Sequence, residues 1–94
     1  MTGPISPRDE AAVLAAVIGI LELVTRRKQP AAGMGTALYD IDGLDSLRLL
    51  ETVALAEEAC GVQVETGGLG ALETLGDIVR LIGAGRAAPG APGM

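Results

Sequence analysis

Apolar residues recur at three- and four-residue spacing in three segments of the chain, which is the pattern of amphipathic helices. In the first segment Ser6 is the predicted N-cap and Pro7 the first helical residue, and the helix should end near Arg27 or Lys28. Its apolar stripe consists of Val13, Leu14, Val17, Ile18, Ile20, Leu21 and Val24. We therefore predict a first helix that buries one wide face.

The second segment has equally clear boundaries. Asp45 is a suitable N-cap for a helix that runs from Ser46 to Cys60, and Gly61 follows where left-handed backbone often ends a helix. The segment mixes leucines and valines with Arg and Glu side chains, so it predicts an amphipathic helix with an acidic surface.

The last apolar segment begins after Thr74, which has Asp77 three residues on as a variant of the capping box, and Gly83 or Gly85 should end this helix. Residues 65–72 precede it and are rich in glycine. Because each glycine costs roughly 1 kcal/mol in a helix interior, we expect one short turn there at most.

The connection between the first and second predicted helices, residues 29–44, is long for a helical domain and is interrupted by proline and glycine. Leu38, Tyr39 and Ile41 are its apolar residues, and we expect them to anchor it against the core. An anchored connection of this length is typical of an ordered, functional loop.

Together these elements predict an all-α fold class: a small four-helix bundle of three main helices plus a short third helix, with a long loop between helices 1 and 2. One domain, residues 6–83, accounts for the helices. Residues 1–5 and 84–94 are predicted to be a disordered N-terminus and a disordered C-terminal tail, since the tail has many glycines and prolines and little charge.

The amino-acid composition argues against several classes of function. The 94 residues carry a formal net charge of −5 and include no His, so we expect neither a nucleic-acid partner nor an enzyme that depends on a histidine base. The one basic cluster, residues 26–28, fits the C-terminal end of the first helix. Cys60 is the only cysteine, which leaves no internal disulfide and no metal-ligand set.

A membrane segment is not expected. Residues 11–24 are apolar, but the run is shorter than the roughly 20 residues that span a bilayer, and it contains Glu22. Arg8 before the run is followed at once by Asp9 and Glu10, and the basic triplet at residues 26–28 comes after it, whereas a signal peptide is positive first. We therefore expect a cytoplasmic monomer without a membrane partner.

Gly43-Leu44-Asp45-Ser46-Leu47 lies between the long loop and the acidic helix, and it resembles the attachment motif of the acyl and peptidyl carrier proteins. Three further segments are similar to this family and extend the resemblance over residues 6–83. They are Leu38-Tyr39-Asp40-Ile41, Glu57-Glu58-Ala59-Cys60-Gly61-Val62-Gln63-Val64 and Leu72-Glu73-Thr74-Leu75-Gly76-Asp77-Ile78. The chain is thus similar to a free-standing member of the phosphopantetheine-binding family, with an acyl-carrier-like fold.

The resemblance implies that Ser46 carries 4′-phosphopantetheine, supplied by coenzyme A, with Asp45 as the helix cap beside it. The arm would hold an acyl group as a thioester while the protein itself catalyses nothing. The implied partners are a phosphopantetheinyl transferase, an acyltransferase, ketosynthase or adenylating enzyme, and downstream tailoring enzymes. We expect a discrete acyl carrier of a biosynthetic pathway, of the polyketide or another specialised kind.

Two alternatives stay open. Within the family, the alternative is a peptidyl or aminoacyl carrier of the D-alanyl type, loaded by an adenylating enzyme. The loop has one residue more between Leu38 and Ser46 than typical fatty-acid carriers, and this spacing is similar to that of free-standing carriers of aminoacyl or specialised short acyl units. Outside the family, the chain would be a non-covalent helical interaction module in which Asp45 and Ser46 only begin a helix.

One side of the second helix is the expected partner-recognition face. It consists of Leu44, Leu47, Arg48, Glu51, Ala54 and Glu58. An ordinary solvated helix surface would have the same composition. Arg48 departs from the family, in which this position is commonly acidic or small, and its presence favours a dedicated partner.

A second departure concerns three small residues along the second helix, Thr52, Ala56 and Cys60, which follow one another at four-residue spacing. Larger apolar residues are common at these positions in the family. The three residues predict either that bulkier side chains of the first helix fill the space or that a slot shelters an apolar cargo.

Overall fold

The computed structural model describes residues 5–87, and these form a small, mainly helical domain. The α-helices among these residues are α1 (Glu10–Thr25), α2 (Ser46–Cys60) and α3 (Leu75–Gly83). Two short strands, β1 (Val62–Gln63) and β2 (Arg86–Ala87), pair antiparallel. The predicted helical character is confirmed, whereas this small sheet was not predicted.

Helix α1 is shorter at both ends than the sequence predicts. Asp9 is its N-cap, because its Oδ1 accepts a hydrogen bond from the Ala12 amide at 3.1 Å. The predicted cap, Ser6, instead begins a turn in which the Ser6 carbonyl accepts a hydrogen bond from the Asp9 amide at 3.1 Å. At the other end Arg26 has left-handed backbone with φ of 59° and ends the helix after Thr25.

Helices α2 and α3 have the predicted boundaries. Gly61, with φ of 66°, ends α2, and its amide donates to carbonyls of the last turn. Thr74 caps α3: its Oγ1 accepts from the Asp77 amide at 3.2 Å, and the Asp77 carboxylate accepts from the Thr74 amide at 3.1 Å. The predicted capping box with Asp in place of Glu is therefore confirmed.

The segment predicted to hold a short third helix, Thr66–Ala71, is a 3₁₀ helix, so residues 5–87 contain three α-helices and two 3₁₀ segments. Residues 84–87, which the sequence analysis assigned to the tail, include β2. The glycine at position 85 allows its close approach to β1, since a Cβ there would lie 3.1 Å from the Gln63 carbonyl oxygen. The disorder predicted for residues 1–4 and 88–94 lies outside the described residues.

The loop between α1 and α2 is anchored mainly by two of the three residues expected. Leu38 is the first residue of the other 3₁₀ segment, Leu38–Asp40, and Ile41 follows that segment; both are buried. Tyr39 is 87% exposed and does not anchor the loop. The Leu38 amide donates to the Glu73 carbonyl at 2.8 Å, which ties the loop to the start of α3.

A single aliphatic core lies between the helices. α1 contributes three fully buried residues at four-residue spacing, and α3 contributes four apolar side chains with no exposed surface. The core residues of the helices are Val13, Val17, Leu21, Ala56, Cys60, Leu75, Ile78, Val79 and Ile82. Burying each larger side chain contributes about 1.5–3 kcal/mol to the free energy of unfolding.

Within residues 5–87 the helices are too short or too polar to cross a membrane.

Candidate functional site at the start of α2

Ser46 is the first residue of α2, and its side chain is exposed. Asp45 begins the helix from extended backbone, and its Oδ1 accepts from the Arg48 amide at 2.8 Å. The Asp45 carbonyl accepts the first helical bond, from the Leu49 amide at 2.8 Å. The cap therefore fixes the helix start while leaving the Ser46 hydroxyl at the surface.

The turn before Asp45 is fixed against the end of α1. Gly43 has φ of 85°, and a Cβ there would lie 3.2 Å from the Thr25 Cβ, so the turn needs glycine for both its conformation and its close approach. Arg27 Nη1 pairs with the Asp42 carboxylate at 3.0 Å, and Leu44 packs against the core. The position of Ser46 is thus set by contacts on both sides.

Arg48 connects the cap to α1. Its Nη1 lies 2.9 Å from Asp45 Oδ2, and its Nε donates to the Val24 carbonyl at 3.2 Å. The Arg48 amide, and to a lesser degree its guanidinium, hold the pKa of the Asp45 carboxyl below its ordinary value. Asp45 is therefore ionised and paired at neutral pH.

These features define what the site can do chemically. No histidine exists in the chain to deprotonate Ser46, so the site has no base of the usual kind to make this hydroxyl a nucleophile on its own. The amides of Ser46 and Leu47 have no carbonyl partner within the helix, and they form part of the positive end of its dipole. An anionic group attached to Ser46 would find these amides beside it, and Arg48 offsets the negative charge of Asp45.

The structure separates the six predicted recognition residues into two groups. Leu47, Glu51, Ala54 and Glu58 are exposed on one side of α2, and Leu47 keeps 64% of its surface accessible. Leu44 is half-buried against the core. Arg48 is half-buried as well, with its guanidinium bonded within the protein.

A groove that the sequence analysis missed runs between α1 and α2 beside this face. It has a volume of about 610 Å³ and is lined by Leu23, Val24, Arg26, Arg48, Glu51, Ala54 and Leu55. Leu23 is 71% exposed. Its position outside the apolar stripe of α1 was the available signal, because a leucine off the buried face of a helix must face solvent or a partner.

A second groove lies between α2 and the two loops. It has a volume of about 460 Å³ and is lined by Ala37, Leu38, Tyr39, Leu49, Leu72, Glu73 and Thr74. Leu49 is three residues after Ser46, so the two residues lie on the same side of α2. Apolar surface is therefore available within one helical turn of the Ser46 side chain.

The three small residues proposed as a cargo slot are all buried. Thr52, Ala56 and Cys60 have exposures of 0%, 1% and 4%, and Ala56 and Cys60 belong to the core cluster. The Thr52 hydroxyl donates to the Arg48 carbonyl at 2.8 Å. Burial raises the pKa of the Cys60 thiol, which keeps it protonated. The described grooves beside α2 are lined by other residues, so a cargo slot here stays a prediction.

Comparison with family models, with curated proteins and with solved structures gives no match to this chain.

Proposed function

We propose that this protein is a carrier whose Ser46 is the attachment point of 4′-phosphopantetheine. The observation that carries the proposal is the placement of Ser46: an exposed hydroxyl at the first turn of a 15-residue helix, capped by Asp45 and preceded by a turn held in place on both sides. A modifying enzyme needs such a reachable hydroxyl on a fixed backbone.

The residues around Ser46 suit a phosphodiester. The free amides of the first helical turn donate toward an attached anion, and an exposed anion at a helix N-terminus gains about 0.3–1 kcal/mol. Arg48 compensates the nearest carboxylate, that of Asp45, at 2.9 Å. When bound, the arm would supply a thiol on which an acyl group is held as a thioester.

The cargo we propose is an acyl group, and the pathway a polyketide or other specialised one. The groove at Leu49 and Leu72 supports an apolar cargo, because it is lined by leucine side chains and Leu49 lies one helical turn after Ser46. An aminoacyl cargo is the alternative, and the activating enzyme that charges the protein separates the two: an acyltransferase for the first, an adenylating enzyme for the second. We also propose that the short segment Thr66–Ala71 corresponds to the third helix of a carrier-type bundle.

A non-covalent interaction module is the second candidate. The exposed leucines Leu23, Leu47 and Leu50 favour it, because exposed apolar side chains are typical of docking surfaces, and Leu23 lines the groove between α1 and α2. In that case Ser46 is only the first residue of a helix, and its removal changes nothing that a partner detects.

Intact mass decides between the two. We expect incubation with coenzyme A and a broad-specificity phosphopantetheinyl transferase to add one phosphopantetheinyl group to the parent and none to Ser46→Ala. Ser6→Ala is the matched control, since Ser6 is the only other serine in the chain. An unmodified parent protein under conditions that modify a known carrier would favour the interaction module.

A further inference from the structure

Both oxygens of the Asp45 carboxylate are hydrogen-bonded to Arg48, although the side chain stays 57% exposed. Oδ1 accepts from the Arg48 amide at 2.8 Å, and Oδ2 accepts from Arg48 Nη1 at 2.9 Å. Arg48 is itself held by a third bond, from Nε to the Val24 carbonyl at 3.2 Å. Both carboxylate oxygens therefore face a donor from one residue, and that residue is fastened to α1.

The Asp45–Arg48 ion pair changes the electrostatic field that a partner protein would encounter beside Ser46. Two opposite unit charges 2.9 Å apart act as a small dipole, whose field falls off faster with distance than that of a free carboxylate. Leu47, 64% exposed, follows Ser46 directly, and Leu23, 71% exposed, lies across the neighbouring groove. Beside Ser46, exposed leucines therefore lie next to a carboxylate whose charge is paired, although Glu51 in the same groove is exposed and the chain as a whole carries a net charge of −5.

We propose that Arg48 is a specificity-determining residue for the enzymes that act at Ser46: by holding the Asp45 carboxylate, it favours partners with an apolar, weakly charged surface over partners with a basic one. The inference rests on the proposed function. A purely structural role for Arg48, the attachment of the α2 cap to α1, makes a different prediction, because its loss would then lower stability and leave partner choice unchanged.

The test uses Arg48→Gln and a phosphopantetheinyl transferase chosen for a basic carrier-binding surface. We expect kcat/KM to rise about two- to fivefold through a lower KM, with kcat unchanged, because a freed surface carboxylate contributes modestly to encounter with a basic surface. The gain should disappear at about 1 M salt, where the Debye length is roughly 3 Å.

Arg80→Gln is the matched control. Arg80 Nη2 pairs with Asp77 Oδ1 at 2.9 Å with the same three-residue spacing, and this pair joins the first turn of α3 to its last. The variant removes the same charge, so an equal gain in kcat/KM would show an effect of net charge alone and would overturn the proposal. An unchanged or reduced kcat/KM for Arg48→Gln would overturn it as well.

An NMR titration of the carboxyl groups tests the pairing without any enzyme. We expect the Asp45 pKa to rise in Arg48→Gln and to keep its parent value in Arg80→Gln; an Asp45 pKa that does not respond to Arg48→Gln would contradict the inference. A different result would contradict the proposed function itself: neither the parent nor any variant would then be modified at Ser46. That result would also overturn the inference about Arg48.

Discussion

The first turns of α2 and α3 are stabilised by the same kinds of side-chain contact, but the residues that follow the caps differ. Each begins at a capping side chain, and each has an Asp–Arg pair at three-residue spacing with a distance of 2.9 Å. The first residue after the cap differs: Leu75 in α3 has no exposed surface, whereas Ser46 in α2 is exposed. The first residue after the cap therefore belongs to the core in α3, whereas in α2 it leaves a hydroxyl at the surface.

The two pairs also differ in what they connect. At α3 the Asp77 carboxylate accepts from the Glu73 and Thr74 amides and from Arg80, so the whole network stays within neighbouring residues. At α2 Arg48 reaches the Val24 carbonyl, 24 residues back in the chain. The pair at α2 thus fixes the site relative to α1, while the pair at α3 only strengthens its own helix.

Substitution of the first helical residue should show the largest difference between the two starts. We expect Leu75→Ala to lower the free energy of unfolding by about 2–5 kcal/mol, because it leaves a cavity in the core. Ser46→Ala should change it by less than about 0.5 kcal/mol, as is usual for a surface position. Urea denaturation of both variants checks this, and a loss of similar size for Ser46→Ala would mean that Ser46 has a structural role.

Removal of the α3 cap should have a smaller effect. We expect Thr74→Ala to cost about 0.5–2 kcal/mol of unfolding free energy, since the Asp77 amide loses its acceptor. Thr74→Ser keeps the hydroxyl and should retain most of the stability. Thermal unfolding of the two variants provides the measurement; equal losses would show that the methyl group of Thr74, and not the cap, is responsible.

Acid should weaken the α3 start in a defined window. Hydrogen bonds from the Glu73 amide, from Arg80 and from the Thr74 amide lower the pKa of Asp77 to about 2 from an ordinary 3.8. Because the folded pKa is the lower one, the contribution of Asp77 is complete above about pH 4 and is lost as the pH falls toward 2. We expect melting temperatures measured across this range to fall less steeply for Asp77→Asn than for the parent; parallel curves would contradict the assignment.

The helix starts also show what sequence alone can predict. The boundaries of α2 and α3 follow from Asp45, Gly61 and Thr74, because a cap acts on amides two or three residues away and its signal is local. The predicted start of α1 was wrong, because Ser6 and Asp9 are both residue types that cap helices. Only the three-dimensional structure shows that the Asp9 side chain accepts from an amide of the helix.

Features that depend on distant parts of the chain were missed. The pairing of β1 with β2 involves two residues on each side and has no alternating pattern to reveal it. The contact from Arg48 to Val24 likewise joins two helices whose relative position the sequence does not specify. Of the candidate site, the exposed Ser46 and its Asp45 cap agree with the prediction, whereas the engagement of Arg48 and the groove at Leu23 emerge only from packing.

Localisation of the modification tests the central claim most directly. After incubation with coenzyme A and a phosphopantetheinyl transferase, tryptic digestion separates the two serines of the chain, because Ser6 lies in residues 1–8 and Ser46 in residues 29–48. The account predicts one phosphopantetheinyl group on the peptide 29–48 and none on the peptide 1–8. A modification on the peptide 1–8, or none on either peptide, would contradict it.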